Sequence, residues 1–335
     1  MPSPLPVSSN ITIHFKKQVF LHSVTGSAMS DLEAPILVTG AAGRVGGVGR
    51  RVVELLRAAN LPVRAHVRQD DSRADKLRSL GAEVVVADLL KSEEVLPILQ
   101  GCRKVFFCTS VSADYLEATV VMAAAARATS GIELLVNMSQ MTVAEMDLTH
   151  TTDSPQHKLQ WLSEQALNWS GLLVTHLRPT VFQENFLFWQ LPAASIKQSG
   201  TIRLPFGQGR ISPIASNDVA EVAVQVLLNP SQYIGRSLEL TGPNSVNMFE
   251  LVKEYSDAIG SPVEYIPAQL DDWTEKVFNI ATLPSHVYNH ILTMVKLVEA
   301  GRYDRYTNSV ESILGRPAAS ISSTIRHDPG QFQPF

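Results

Sequence analysis

Cysteine is scarce in this chain: Cys102 and Cys108 are the only two in 335 residues. Two thiols build neither a disulfide framework nor a four-ligand zinc site, so secreted scaffolds and structural metal proteins are disfavoured and a reducing, cytoplasmic setting is expected. No unbroken apolar run approaches the roughly eighteen residues that a membrane span needs. Basic residues are not in excess either, with 28 Lys and Arg against 32 Asp and Glu, a formal charge of −4 and a pI near 6.1. The basic stripe that drives binding to nucleic acid backbones is missing, and neither a nucleic acid nor a membrane is expected as a partner. The nine histidines show no metal-ligand spacing, and His150, His157 and His176 read as ordinary residues. What remains is a globular composition, 45% hydrophobic and 18% charged, long enough for one large domain or a two-lobed one.

Residues 1–30 are rich in serine and proline, contain no acid, and carry Lys16 and Lys17. Acid-poor, serine-rich segments resemble organelle transit sequences, but this one has no arginine and no clear helical stripe. The expectation is a disordered or mis-started extension over 1–33, with Met29 as the alternative start.

From residue 34 a rhythm sets in. Short apolar runs end at Gly40, Val67, Ala87, Cys108, Met138 and Leu177, and helical patterns of about ten residues separate them. Such alternation predicts βαβ units and a parallel sheet buried on both faces, a Rossmann-type doubly wound α/β domain. Beyond Pro179 the rhythm breaks. Residues 217–228, opening on Asn217-Asp218, read as a capped helix that returns to the sheet, and Leu238–Leu240 as a further strand. The expected division is a nucleotide-binding domain over 34–185 and 214–245, and a smaller, discontinuous C-terminal substrate lobe over 186–213 and 246–330.

At the end of the first strand stands Thr39-Gly40-Ala41-Ala42-Gly43-Arg44-Val45-Gly46. Glycines at this spacing let the chain turn sharply and bring backbone N–H groups against a pyrophosphate, while the next helix aims its positive end at the same charge. A tight turn with nothing bound is the plain alternative. Gly43, Gly46 and Gly49 repeat the spacing, but Gly40 directly follows the strand, so the first register is preferred and 47–49 is taken as a lengthened approach to the helix. After the second strand, where a NAD site places an acid, stands Arg68. With Arg44 it suits a 2′-phosphate, which points to NADPH, with NADH possible. Asp70 and Asp71 nearby would dilute that preference. Asp88, ending the third strand, is placed for an adenine amine or for a helix cap.

The glycine turn, Val67-Arg68, Ala87-Asp88-Leu89, Ser170-Gly171-Leu172, Leu177-Arg178-Pro179 and Glu184-Asn185 together resemble the NmrA-like group of atypical short-chain dehydrogenase/reductases, and within it the NAD(P)H azoreductases and quinone reductases. The resemblance spans about residues 35–330. It implies a Rossmann fold, a bound NAD(P)H, and either a reductase or a redox sensor that binds the dinucleotide without turnover. The groove residues it implies are Gly40, Ala41, Ala42, Gly43, Arg44, Val45, Gly46, Arg68, Asp88, Leu89, Thr109, Ser110, Lys158, Pro179 and Phe182.

Short-chain dehydrogenases use a Tyr-x-x-x-Lys pair on the helix after strand five. Here Lys158 is present, but Ser154 stands four residues before it, and a serine hydroxyl is a far poorer acid than a phenol. Lys158 and Ser139 are the candidate catalytic residues, with a surface lysine and a turn serine as the plain alternatives. Lys158, Trp161 and Gln165 share a helix face. Phe182, Phe186, Phe188 and Trp189 follow Pro179 and suggest an aromatic crevice for a flat acceptor, or else plain packing between lobes. A small aromatic substrate and a monomer or homodimer are expected.

Overall fold

The computed structural model describes residues 34–43, 47–278 and 283–332. The expected extension over 1–33 and the loop residues Arg44, Val45 and Gly46 lie outside the described residues. Nine strands are named in chain order: β1 (Ile36–Val38), β2 (Val63–Val67), β3 (Glu83–Val86), β4 (Lys104–Phe107), β5 (Leu134–Met138), β6 (Val174–Pro179), β7 (Thr201–Leu204), β8 (Ser237–Leu240) and β9 (Glu264–Pro267). Seven form one parallel sheet in the order β3-β2-β1-β4-β5-β6-β8. The order reverses between β1 and β4, so a crevice opens there at the carboxyl ends of the strands.

The central strands are short apolar runs because both faces are covered, while β3 at the sheet edge is only partly buried. Helices α1 (Val48–Ala58), α2 (Ser72–Ser79), α3 (Ser92–Leu99), α4 (Tyr115–Ala128) and α5 (Pro155–Trp169) alternate with them, followed by α6 (Leu191–Ser199) and α7 (Ser216–Leu228). Alternate side chains go to opposite sides. Ile36, Val38, Phe106, Leu134 and Val136 pack with Val52, Leu56, Val219 and Ala223 of α1 and α7. Leu37, Val105, Phe107 and Leu135 pack on the other face with Val95, Leu99, Met122 and Leu167 of α3, α4 and α5.

The C-terminal elements are α8 (Met248–Ile259), α9 (Leu270–Trp273), α10 (Ser285–Glu299), α11 (Ser309–Leu314) and α12 (Ile321–His327). Strands β7 and β9 pair in a separate two-stranded parallel sheet. Around it a second core gathers Phe188, Phe206, Tyr255, Trp273 and Phe278, and the Tyr255 hydroxyl donates to the Phe188 carbonyl at 2.6 Å. Phe188 and Trp189 are thus buried packing residues, not the wall of an acceptor crevice. Within 246–330 the chain also crosses back once, since Val310 of α11 packs on the sheet side with α7.

The start of α7 differs from its sequence reading. Its N-cap is Ala215, which has no capping side chain. Asn217 lies inside the helix, accepting from Arg51 Nε at 2.6 Å and donating to Glu221 at 2.7 Å. The cap comes from outside. The Glu184 carboxylate accepts from Ser216 N–H at 3.1 Å and from its hydroxyl at 2.7 Å. Burial raises the Glu184 pKa, with the Ser216 bonds opposing.

Candidate functional site

The crevice between β1 and β4 is locked by one side chain. Thr39 Oγ1 donates to the Cys108 carbonyl and accepts from the Cys108 N–H, each at 2.8 Å. The chain then turns through Gly40 at φ +67°. A Cβ there would lie 2.8 Å from the Cys108 oxygen, so both backbone angle and space demand glycine. Gly43 N–H donates to the Gly40 carbonyl at 3.0 Å and closes the turn. Ala41 is buried and Ala42 half-buried beside it.

Gly49, near the start of α1, packs against this turn. A Cβ on it would stand 2.6 Å from the Gly40 oxygen, so Gly49 is what lets α1 approach β1 this closely. The preferred register took 47–49 as a lengthened approach to the helix, and its third glycine, Gly46, lies outside the described residues; Gly49 is the described glycine that meets the Gly40 turn. Gly47 at φ +62° precedes α1, which has no side-chain cap and no acid in its first turn. Its leading N–H groups and positive dipole end are therefore met by no acid of their own first turn. This cradle fits a dinucleotide pyrophosphate.

Arg68, after β2, is exposed and makes no ion pair among the described residues. The two acids expected to weaken a 2′-phosphate preference are both paired. Asp70 meets Arg78 at 2.7 Å. Asp71 caps α2 through Arg73 N–H and binds the Arg73 guanidinium, which pulls its pKa down to about 2. Arg73 also donates to the Ala42 carbonyl at 3.2 Å, so it joins α2 to the glycine turn. Sequence reading missed it, although an Asp cap two residues before an Arg was a usable signal. Asp88 does not cap α3; it accepts from Leu90 N–H at 3.1 Å, and Leu89 beside it is half-buried.

The remaining positions line the same strand edge. Thr109 is half-buried and Ser110 exposed in the segment after β4. Ser139 follows β5, donates its N–H to the Leu177 carbonyl at 2.8 Å, and buries an Oγ with no partner. Pro179 ends β6 buried, and half-buried Phe182 bridges to Ile214.

Lys158 stands on the outward face of α5. It is exposed, because α5 turns Gln156, His157, Gln160, Ser163, Glu164 and Leu167 inward. The rotation is pinned by buried Glu164, which accepts from Arg178 Nε of β6 at 3.0 Å. Ser154 caps α5, accepting from His157 N–H at 3.3 Å, and its Oγ lies 3.0 Å from His290 Nδ1 on α10. His157 and His290 meet edge to face at 4.9 Å. Burial pushes His157 down to about 3 and His290 down to about 4, so both are neutral near pH 7. Among the described residues no group of His, Cys, Asp and Glu side chains is arranged to hold a metal.

The pattern of the NmrA-like family matches residues 33–327. A curated relative, the NAD(P)H azoreductase of Xenophilus azovorans, is 29% identical over 292 residues, covering 87% of this chain and 97% of the relative. The (4-alkanoyl-5-oxo-2,5-dihydrofuran-3-yl)methyl phosphate reductase of Streptomyces griseus is 30% identical over 283 residues, 84% of this chain and 94% of its own. Among solved structures, the triphenylmethane reductase of Citrobacter sp., complexed with NADP(H), superposes with a TM-score of 0.75 at 20% identity over 88% of this chain and 99% of that one. No described helix is long and apolar enough to cross a membrane.

Proposed function

The chain belongs to the NmrA-like family, and on that premise we propose that it is an NAD(P)H-dependent reductase passing hydride to a conjugated acceptor of the azo, quinone or enone class. The observation that carries this reading is the cradle of Gly40, Gly43 and Gly49 against the uncapped start of α1. The names of the two curated relatives, an azoreductase and a reductase of an unsaturated furanone, support the acceptor class.

The bound reduced nicotinamide supplies the hydride. The chain's part is to hold and orient. The glycine turn and α1 take the pyrophosphate, Arg68 and Arg73 take a 2′-phosphate, and Asp88 with Leu89 flank the adenine. Thr109, Ser110, Pro179 and Phe182 line the groove toward Ser139, where the acceptor sits. Lys158 has no part in this arrangement. Loss of NADPH absorbance with a panel of azo dyes, quinones and enones tests the proposal. Acceptor-dependent oxidation is expected. Tight NADPH binding with no turnover on any of them would favour the sensor instead.

A further inference from the structure

Two glutamines stand one helical turn apart on the inner face of α5, Gln156 fully buried and Gln160 8% exposed. Gln156 Oε1 accepts from Ser112 N–H at 3.2 Å and lies 2.8 Å from His286 Nε2 on α10. A backbone N–H only donates, so the amide oxygen must face Ser112, and His286 must carry its hydrogen on Nε2. The Gln156 amide nitrogen is thereby turned away from both, and it has no partner. One turn on, Gln160 buries its Oε1 without a partner. The Tyr115 hydroxyl donates to the Met138 carbonyl at 2.8 Å.

One helix face thus offers a free donor and, a turn later, a free acceptor. Both are buried, where unmet polar atoms are costly. Gln156 lies beside the segment after β4, through Ser112, and Gln160 beside the Tyr115 hydroxyl that meets the end of β5 at Met138. That pairing complements a primary carboxamide, whose oxygen accepts and whose NH₂ donates. We infer that Gln156 and Gln160 bind the carboxamide of the nicotinamide ring and so fix the ring's rotation in the groove, an inference that rests on the dinucleotide reading above. A lysine-based ribose contact is not needed for it.

Three ligands titrated into the full chain by calorimetry separate the possibilities. They are NADP⁺, its 3-acetylpyridine analogue, which keeps the carbonyl but lacks the NH₂, and 2′-phospho-ADP-ribose, which lacks the ring. Wild type should bind NADP⁺ about 3- to 10-fold more tightly than the acetyl analogue, as befits one buried hydrogen bond. Gln160→Met should weaken NADP⁺ and erase that preference. Gln156→Met should weaken both ring-bearing ligands. Neither variant should change binding of the ringless ligand. Equal binding of NADP⁺ and the acetyl analogue by wild type overturns the inference even if the variants do not fold. So do variants that lower the melting temperature yet leave all three affinities unchanged, because the glutamines would then serve only each other. Failure of wild type to bind even the ringless ligand overturns the dinucleotide reading itself.

Discussion

At the scale of single residues, sterics and charge make sharper statements than motif matching does. Gly49 carries no motif weight in the preferred register, yet its missing Cβ is the space that the Gly40 carbonyl occupies. Gly49→Ala should push α1 off β1. We expect a loss of stability of about 1–3 kcal/mol, the usual range for overpacking, together with weakened NADPH binding, read by thermal melts and titration. Arg68 and Arg73 make the complementary case. Because Asp70 and Asp71 are each held by an arginine of α2, they do not repel a phosphate as bare carboxylates would. Arg68→Ala should reduce NADPH affinity by roughly 10- to 100-fold, one charge-assisted contact of about 1.5–3 kcal/mol, and leave NADH affinity nearly unchanged. Arg73→Ala, which also loses the Ala42 contact and bares Asp71, should weaken both cofactors and NADPH the more. Lys158→Ala should alter neither, since that side chain faces solvent. An unchanged NADPH-to-NADH ratio in both arginine variants would remove the 2′-phosphate argument.

At the scale of elements, the six strands and five helices up to Pro179, with α7 and β8, were legible, because most of those apolar runs are buried and turn residues fill the gaps. Strands β7 and β9 and helices α6 and α8 to α12 carried no such rhythm. The rotation of α5 was not. Its inward face holds Gln156, Gln160, Ser163 and Glu164, so no apolar stripe marks it, and only the Glu164–Arg178 pair settles which side faces the sheet. The Tyr-x-x-x-Lys template therefore pointed to Ser154 and Lys158, while the residues that reach inward lie two positions further on. Similarly, aromatic crowding after Pro179 did not distinguish a crevice from a core, since both need large flat side chains. The α5–α10 junction also makes a pH prediction. His157 and His290 have folded pKa values near 3 and 4, below the ordinary 6.5 of the unfolded chain. Between those limits the unfolded state binds more protons, so stability is full above about pH 6.5 and falls as the pH drops, by about 1.4 kcal/mol per unit for each histidine. Melting temperature should decline steadily from pH 7 to pH 4.5, and His290→Leu should reduce the slope. A flat profile over that interval would contradict the burial argument.

At the scale of the whole molecule, the segment after α10 is tied to the carboxyl edge of the sheet by ionic and hydroxyl contacts. Arg302 and Arg305 bind Glu145, Arg305 also binds Glu239, and Thr142 donates to the Tyr303 hydroxyl at 3.0 Å. With α10 packed on α5, they set helices beside that sheet edge; on the proposed reading, the acceptor lies between the two and the helices are its cover. They also decide what chemistry the cover permits. Ser154, at the position of the missing tyrosine, is 1% exposed, and its hydroxyl is engaged with His157 N–H and His290. It is a helix cap tied to the cover, not a free acid. Reducing a simple ketone creates an alkoxide in the transition state and needs such an acid. Reducing an azo bond, a quinone or an enone spreads the charge over a conjugated system, and positioning supplies most of what the reaction requires. Turnover should therefore be confined to conjugated, electron-poor acceptors. Ser154→Ala should cost about 1 kcal/mol of stability through the lost cap, while kcat/KM on a good acceptor changes less than about threefold, a barrier change of roughly 0.7 kcal/mol at most. Oxidation of an unactivated secondary alcohol that disappears in Ser154→Ala would show instead that the serine replaces the tyrosine as the acid.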